Sequence, residues 1–213
     1  MEIEPAIAGV RVVRAFEDRP LAAEDLDAII RSGRRAGSSK NQQRWAFVVI
    51  TERERLRALG SVGAFAGHLA GAAAAIALVS PDPRRPGAPL SILWDLGLAS
   101  QNMILTAWGR GIGSCPATVY DQALVHELLG LPTDMACEYL LSFGYPADPT
   151  DLTRPLKSGG RRKLDDIVHR EAWSQAGSGP SAGGPQVVGS PVVRTPNPKV
   201  SSSGRIGPKS RSR

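Results

Sequence analysis

The stretch SILWDLGLASQNMILTAWGRG, residues 91–111, decides the fold. It is long enough for about five helical turns, and the glycines from Gly109 to Gly113 mark its end. Apolar residues occur on all sides of this predicted helix, which is typical of a helix that is buried nearly all round. The pattern therefore predicts a helix either at the centre of a domain or in a dimer interface.

Helical and strand-like segments surround this helix on both sides. We predict helices at 21–37, at 51–59 with Thr51 as N-cap, at 122–129 between an Asp121 cap and Gly130, and at 163–173. Strands are predicted at 45–51, 72–80 and 135–146, and GRGIGSCPATVYD, residues 109–121, is interpreted as a glycine-rich helix exit and crossover loop. Because the order lacks regular βαβ spacing, the fold class favoured is α+β.

The positive charge of the chain lies in its C-terminal region. The 213 residues carry a net charge of +6, and residues 174–213 contain six basic and no acidic side chains, which leaves 20 of each sign in 1–173. The region 174–213 is dominated by Gly, Pro and Ser, so we predict a disordered tail, with a weak arm for an acidic partner as the alternative. Residues 1–173 give no argument for nucleic-acid binding.

Several classes of protein are disfavoured by what the sequence lacks. The N-terminus MEIEPAIAG has no secretory pattern, and no window approaches the roughly 18 apolar residues of a membrane helix. Cys115 and Cys137 favour ordinary buried thiols over a bridge or a metal site. We therefore expect a soluble, cytoplasmic protein without bound metal, in which His68, His126 and His169 are surface or capping residues.

Four stretches could carry chemistry, although each also has a purely structural interpretation. The arginines of RVVRAF (11–16) could converge on one anion or be a surface pair. The polar GSSKNQQRW (37–45) could bind a heterocycle or form a turn, with neither favoured. Residues 109–121 could present backbone N–H groups to a flat ligand or be only a crossover. KSGGRRKL (157–164) could close over the same anion or be solvated.

Taken in order, these stretches resemble the motifs of the FMN-dependent nitroreductase family. Its opening R-S-x-R-x-F is matched by Arg11, Arg14 and Phe16, and its P-S-x-x-N-x-Q-P-W by Ser38, Asn41, Gln43 and Trp45. The central helix pattern D-x-G-x-A-x-Q-N-x-x-L-x-A is matched at Asp95, Gly97, Ala99, Gln101, Asn102, Leu105 and Ala107. GIGSC, LLSFGYP and IVHREAW also fit, so the resemblance covers about residues 10–173.

The resemblance implies an α+β nitroreductase-like fold, in which a central, mostly antiparallel sheet is flanked by helices and FMN sites lie at a homodimer interface. It implies one FMN-binding domain, 1–173, followed by the tail. Arg11 and Arg14 would bind the FMN phosphate with Arg161 or Arg162, and Val12 replaces the usual serine beside them. The flavin would be contacted by Ser38, Ser39, Asn41 and Gln43 across the interface, and by Pro116, Ala117 and Thr118, with a backbone N–H near flavin N5.

The activity implied is a ping-pong reaction in which flavin N5 carries the hydride and no side chain is catalytic. NADPH or NADH would reduce FMN, and nitroaromatics, quinones or similar acceptors would reoxidise it. Lys40 or Arg44 would stabilise the charge of the reduced ring. Two alternatives are other flavin chemistry, namely dehydrogenation or reductive dehalogenation, and a flavin-binding protein with little turnover. Gly37 and Arg44 replace family prolines, and the short span 64–90 leaves little room for a lid.

Overall fold

The computed structural model describes residues 3–155 and 160–173. It divides the chain into two compact units, Met1–Lys157 and Ser158–Arg213. The predicted tail, 174–213, lies outside the described residues, as do positions 157–159 of the second basic cluster. Among the helices of the described residues, none combines the length and the hydropathy that a membrane span requires.

The first unit contains five α-helices and a four-stranded antiparallel sheet. The helices are α1 (Ile3–Gly9), α2 (Ala23–Arg34), α3 (Arg53–Leu59), α4 (Ser91–Trp108) and α5 (Gln122–Leu129). The strands are β1 (Ala46–Ile50), β2 (Ala74–Pro81), β3 (Gly113–Thr118) and β4 (Met135–Gly144). They are ordered β1-β2-β4-β3, with every neighbouring pair antiparallel. The predicted α+β class with an antiparallel sheet is confirmed.

The sheet is covered on both faces, and the two central strands form the middle of the core. One face packs on α3, α5 and the short 3₁₀ helix Gly67–Gly71 through residues such as Leu56, Leu69 and Val125. The other face packs on α2 and α4 through residues such as Ile29, Leu96 and Met103. Every residue of β2 from 74 to 80 is buried, which explains why its sequence is apolar from 74 to 79 rather than alternating.

Helix α4 is confirmed. The single chain leaves one of its faces exposed, so burial at a domain centre is wrong, and burial in a dimer interface stays a prediction. The exposed face is apolar and begins at the N-cap residue: Leu90, Leu93, Trp94 and Leu98 are 94%, 42%, 72% and 39% exposed. These positions follow the i, i+3, i+4, i+8 spacing of one helical face. We call this face the α4 stripe.

The caps of α5 confirm the prediction from local sequence. The Asp121 carboxylate accepts a hydrogen bond from the Leu124 N–H at 2.9 Å, and Gly130 ends the helix in the left-handed region with φ 63°. In contrast, Thr51 does not cap α3. That role belongs to Glu52, whose side chain accepts from the Glu54 N–H at 3.1 Å.

Two other predictions of local structure are wrong. Residues 109–121 contain an edge strand, β3, and this position suits Pro116 because an edge strand tolerates a missing N–H. Residues 163–173 do not form one helix: only Leu164–Asp166 is helical, as a 3₁₀ turn, and Glu171 has φ 63°. Short isolated helices are marginal in water, so a helical pattern of this length is weak evidence for a helix.

Gly63 allows the chain to pass against the end of β3, and its replacement should destabilise the protein. A Cβ there would lie 2.4 Å from the Thr118 carbonyl oxygen and 3.1 Å from the Tyr120 ring, so the backbone must move. We expect Gly63→Ala to lower the unfolding free energy by about 1–3 kcal/mol in a denaturant titration.

Gly67→Ala is the matched control because a Cβ at Gly67 meets nothing within 4 Å. It should change stability by less than about 0.5 kcal/mol. Equal losses in the two variants would contradict the proposed close approach at β3.

Candidate functional site

The N-terminal arginine segment lies along the edge of the sheet. The Val13 N–H donates to the Ser114 carbonyl at 2.9 Å within a parallel bridge between Val12 and Ser114, and Phe16 bridges to Pro146. This pairing brings Arg11, Val12 and Arg14 beside β3, which is about a hundred residues later in the sequence. Two of the predicted motifs therefore meet in space.

The two arginines of this segment differ in their availability to a ligand. Arg11 donates to three carbonyl groups, those of Ala8 (2.7 Å), Val10 (2.9 Å) and Arg154 (2.9 Å), so its guanidinium largely ties α1 to residue 154. Arg14 is exposed and lies close to the Cys115 thiol. Of the pair, Arg14 has the guanidinium better placed to meet an anion.

Lys40, Asn41 and Gln43 adopt an uncommon backbone geometry in the polar loop 38–43. Their φ angles are 53°, 53° and 47°, in the left-handed region that few residues other than glycine adopt. Each such residue costs on the order of 1 kcal/mol, and this kind of strain concentrates at functional sites. All three side chains are exposed. The loop therefore presents polar groups from a backbone that is held in a strained form.

Hydrogen bonds inside the loop and to α4 hold this conformation. The Ser38 hydroxyl accepts from the Gln43 N–H, and the Asn41 side-chain oxygen accepts from the Gln43 amide, both at 3.0 Å. The Ser39 N–H donates to both carboxylate oxygens of Asp95, at 3.1 and 3.2 Å. Asp95 is only 2% exposed. A buried carboxylate on α4 thus anchors the loop, a role that the sequence did not reveal.

An apolar groove of about 260 Å³ runs between α4 and the sheet. Its walls include Leu93 and Gly97 from α4 and Pro116, Tyr139 and Leu141 from the sheet. Side chains alternate along β3, so Pro116 and Thr118 are exposed whereas Ala117 is buried. Of the three residues predicted to pass the flavin, Pro116 lines the groove, and Ala117 could contact a ligand only through its backbone.

Arg161 and Arg162 belong to the second unit. Both are exposed, and Arg162 donates from Nη2 to the Asp166 carbonyl at 2.6 Å. Their predicted participation in a phosphate site with Arg14 stays a prediction.

His68 is not a surface or capping residue, so that prediction is wrong. It is 9% exposed, and its Nδ1 lies 2.8 Å from the Ser142 hydroxyl, which donates to the Cys115 carbonyl at 3.2 Å. The pKa of His68 is lowered, most strongly by burial and next by the nearby charge of Arg14. A hydrogen bond with the Pro116 backbone opposes this shift. In the sequence, the one sign of this burial is the position of His68 between glycines and alanines in GAFAGHLAGAAAA.

The lowered pKa of His68 makes stability depend on pH. The folded state favours neutral His68. Below the ordinary histidine pKa of 6.5, the unfolded chain therefore binds more protons than the folded chain. The free energy of unfolding decreases as the pH falls through the lowered pKa of the folded state. Asp82 and Asp148, whose pKa values are also lowered, start from 3.8 and so titrate in a more acidic range.

We therefore expect His68→Gln to reduce the loss of melting temperature between about pH 7.5 and about pH 5.5. Thermal unfolding at both pH values measures this. A pH dependence unchanged from the wild type would contradict the burial of a neutral imidazole.

The two cysteines are free and buried, as expected. Burial raises the pKa of the Cys137 thiol to about 12, which leaves it inert as a nucleophile at neutral pH. Burial also raises the pKa of Cys115, and the charge and hydrogen bond of Arg14 oppose that rise.

Comparison with known proteins identifies the family. The profile described as "Nitroreductase family" matches residues 7–76 and 62–145. An Archaeoglobus fulgidus protein, provisionally described as an NADH dehydrogenase/NAD(P)H nitroreductase, is 33% identical over 169 residues, covering 76% of this chain and 94% of its own. The NADPH-flavin oxidoreductase of Vibrio harveyi is 26% identical over 182 residues, covering 78% and 72%.

A solved structure shares the fold. The FMN-dependent nitroreductase of Clostridium difficile matches with a TM-score of 0.67 and 22% identity, covering 80% of this chain and 100% of its own. The chain belongs to the nitroreductase family. The predicted family, fold and oxidoreductase class are confirmed, and the predicted FMN and NAD(P)H agree with the names of these relatives.

Proposed function

We propose that this protein is an FMN-dependent oxidoreductase that uses NADPH or NADH to reduce nitroaromatics, quinones or similar acceptors in a ping-pong reaction. The observation that carries the proposal is the strained polar loop 38–43, which Asp95 anchors to α4. When bound, FMN supplies the hydride chemistry at N5, and the protein supplies position and electrostatic field.

The residues present fit the chemistry of FMN. The groove beside Pro116 offers an apolar surface to a flat ring. Asn41 and Gln43 offer amide groups that can pair with the donors and acceptors at a ring edge. Arg14 offers an exposed guanidinium next to β3 that suits a phosphate dianion. The groups required for the two ends of FMN are thus present in the first unit.

We further propose that the α4 stripe is covered by a second copy of the chain. An exposed apolar helical face of this kind is characteristic of an oligomer interface. Because Asp95 of the same helix anchors the loop 38–43, pairing at the stripe would fix where the loop lies relative to the partner. This supports the implied sharing of each FMN site between two chains.

In this site the chain would orient the ring, exclude water and provide a cation. Lys40 projects from the strained loop, whereas Arg44 lines a separate cavity with Arg85. Lys40 is therefore the better candidate to stabilise negative charge on the reduced ring. We place residues 1–173 in one FMN-binding domain followed by the tail 174–213, and we place the activity in the cytoplasm.

Identification of the released cofactor and steady-state kinetics test this function. Protein prepared with its cofactor should release FMN on denaturation, and NAD(P)H and quinone should give the parallel double-reciprocal lines of a ping-pong reaction. Protein that neither contains nor takes up FMN would overturn the proposal. A bound flavin without turnover would leave a flavin-binding protein instead.

A further inference from the structure

A second cavity, of about 270 Å³, lies beside the first turn of α4 and contains two arginines. Arg44, Asp82, Arg85 and Ile92 line it, together with a rim of small or rigid residues, namely Pro81, Pro86, Gly87, Ala88 and Pro89. We call it the arginine cavity. The sequence predicts Arg44 as a candidate cation for the flavin and no role for Arg85.

One carboxylate, that of Asp82, lines the arginine cavity against two arginines, so its positive charge is only partly compensated. The only carboxylate lining it, Asp82, accepts from the backbone N–H and from Nε of Arg84, both at 3.0 Å. These bonds, followed by the charges of Arg84 and Arg85, lower the pKa of Asp82, so it is ionised and its hydrogen bonds go to Arg84. Arg84 also pairs with Glu138 at 3.3 Å. Asp82 and Glu138 thus each pair with Arg84, which does not line the cavity.

The two lining arginines retain donors for a ligand. The half-buried Arg44 guanidinium has no hydrogen bond or ion pair with any residue that the structure describes. Arg85 donates from Nη2 to the Thr133 carbonyl at 2.8 Å, which fixes its side chain and leaves its other N–H groups available. Two arginines that line one small open cavity offer donors that match the oxygens of a phosphate monoester.

The location of the arginine cavity suits a remote part of a long substrate. Arg44 directly follows Gln43, so the cavity adjoins the loop proposed to face the flavin. Ile92 lies on the side of α4 opposite Trp94 and Leu98, since successive helical residues turn by about 100°. Pairing of two chains at Trp94 and Leu98 would therefore cover the side of α4 away from Ile92.

We propose that Arg44 and Arg85 bind the 2′-phosphate of NADPH and make this phosphorylated dinucleotide the preferred reductant. The inference rests on the proposed function, because it assigns the reductant of the same site. NADPH and NADH share the nicotinamide and the pyrophosphate and differ only in the 2′-phosphate on the adenosine ribose. A phosphate site that is separate from the flavin groove therefore discriminates between them.

Kinetics with both reductants test the proposal. Arg44→Gln and Arg85→Gln should each lower kcat/KM for NADPH about tenfold through KM, with kcat/KM for NADH changed less than about twofold. Arg55→Gln is the control, because it removes one surface charge from a residue that does not line the cavity. Equal losses with NADPH and NADH would place Arg44 at the flavin or the pyrophosphate and overturn the proposal, as would no loss with either.

A binding measurement separates this inference from the proposed function. Calorimetry on the FMN-loaded protein should show that 2′,5′-ADP binds more tightly than 5′-AMP, and that the Arg44→Gln, Arg85→Gln double variant loses this difference. If neither NADPH nor NADH reduces the flavin, the proposed function fails while this measurement still reports on the cavity. Equal affinity of the wild type for the two nucleotides overturns the inference, whatever the kinetics show.

Discussion

The double variant Trp94→Lys, Leu98→Lys should be a monomer that has lost most of its flavin. These residues belong to the α4 stripe and are 72% and 39% exposed in the single chain. A large apolar side chain contributes about 1.5–3 kcal/mol when it is fully buried, and a two-fold symmetric interface buries each residue twice. Allowing for partial burial, the pair should account for at least about 4 kcal/mol, or about a thousandfold in the dimer dissociation constant.

Analytical ultracentrifugation gives the mass of the variant, and absorbance gives its flavin content. Val49→Lys is the control, because Val49 on β1 is as exposed as Leu98, at 39%, and the lysine adds one charge away from α4. The control should remain a dimer with its flavin. A double variant that stays dimeric would contradict the assignment of the α4 stripe. A monomer that retains full flavin would contradict a site shared between chains.

Asp95→Leu should weaken FMN binding by about 10- to 100-fold, because it releases the loop 38–43. Asp95 is only 2% exposed, and its replacement removes both acceptors of the Ser39 N–H. An unsatisfied buried donor costs about 1–3 kcal/mol, and the strained residues of the loop can then relax. Side chains placed by that strain would lose their alignment with the ring.

Asp95→Asn distinguishes this effect from general damage to the core. Asparagine keeps one side-chain oxygen that can accept from Ser39, so its FMN affinity should lie close to that of the wild type. Fluorescence titration with FMN measures affinity, and thermal unfolding of the apoprotein measures stability. If leucine and asparagine bind FMN equally well, Asp95 does not position the loop.

Elements specified by neighbouring residues could be predicted from the sequence. The length and apolar character of α4 are properties of one continuous segment, and the caps of α5 follow from Asp121 and Gly130. β3 could not be recognised because GSCPAT has few residues with strand propensity, and its pairing with β4 supplies the missing stability. The conformation of that segment is decided by distant residues.

The candidate site shows the same division between local and distant determinants. The sequence GSSKNQQRW predicts a polar loop, and left-handed geometry is unsurprising for Asn41 but not for Lys40 or Gln43. The loop depends on Asp95, which lies 56 residues from Ser39. The burial of His68 likewise depends on Ser142, at a separation of 74 residues. Tertiary contacts of this kind leave no periodic pattern in the sequence.

Anaerobic mixing of the purified, FMN-loaded protein with NADPH tests the central claim most directly. The visible absorbance of the oxidised flavin should disappear in this first half-reaction, before any acceptor is present. Addition of a quinone should then restore it. A protein whose flavin remains oxidised under excess NADPH and excess NADH would contradict the account of this chain as an NAD(P)H-dependent flavin oxidoreductase.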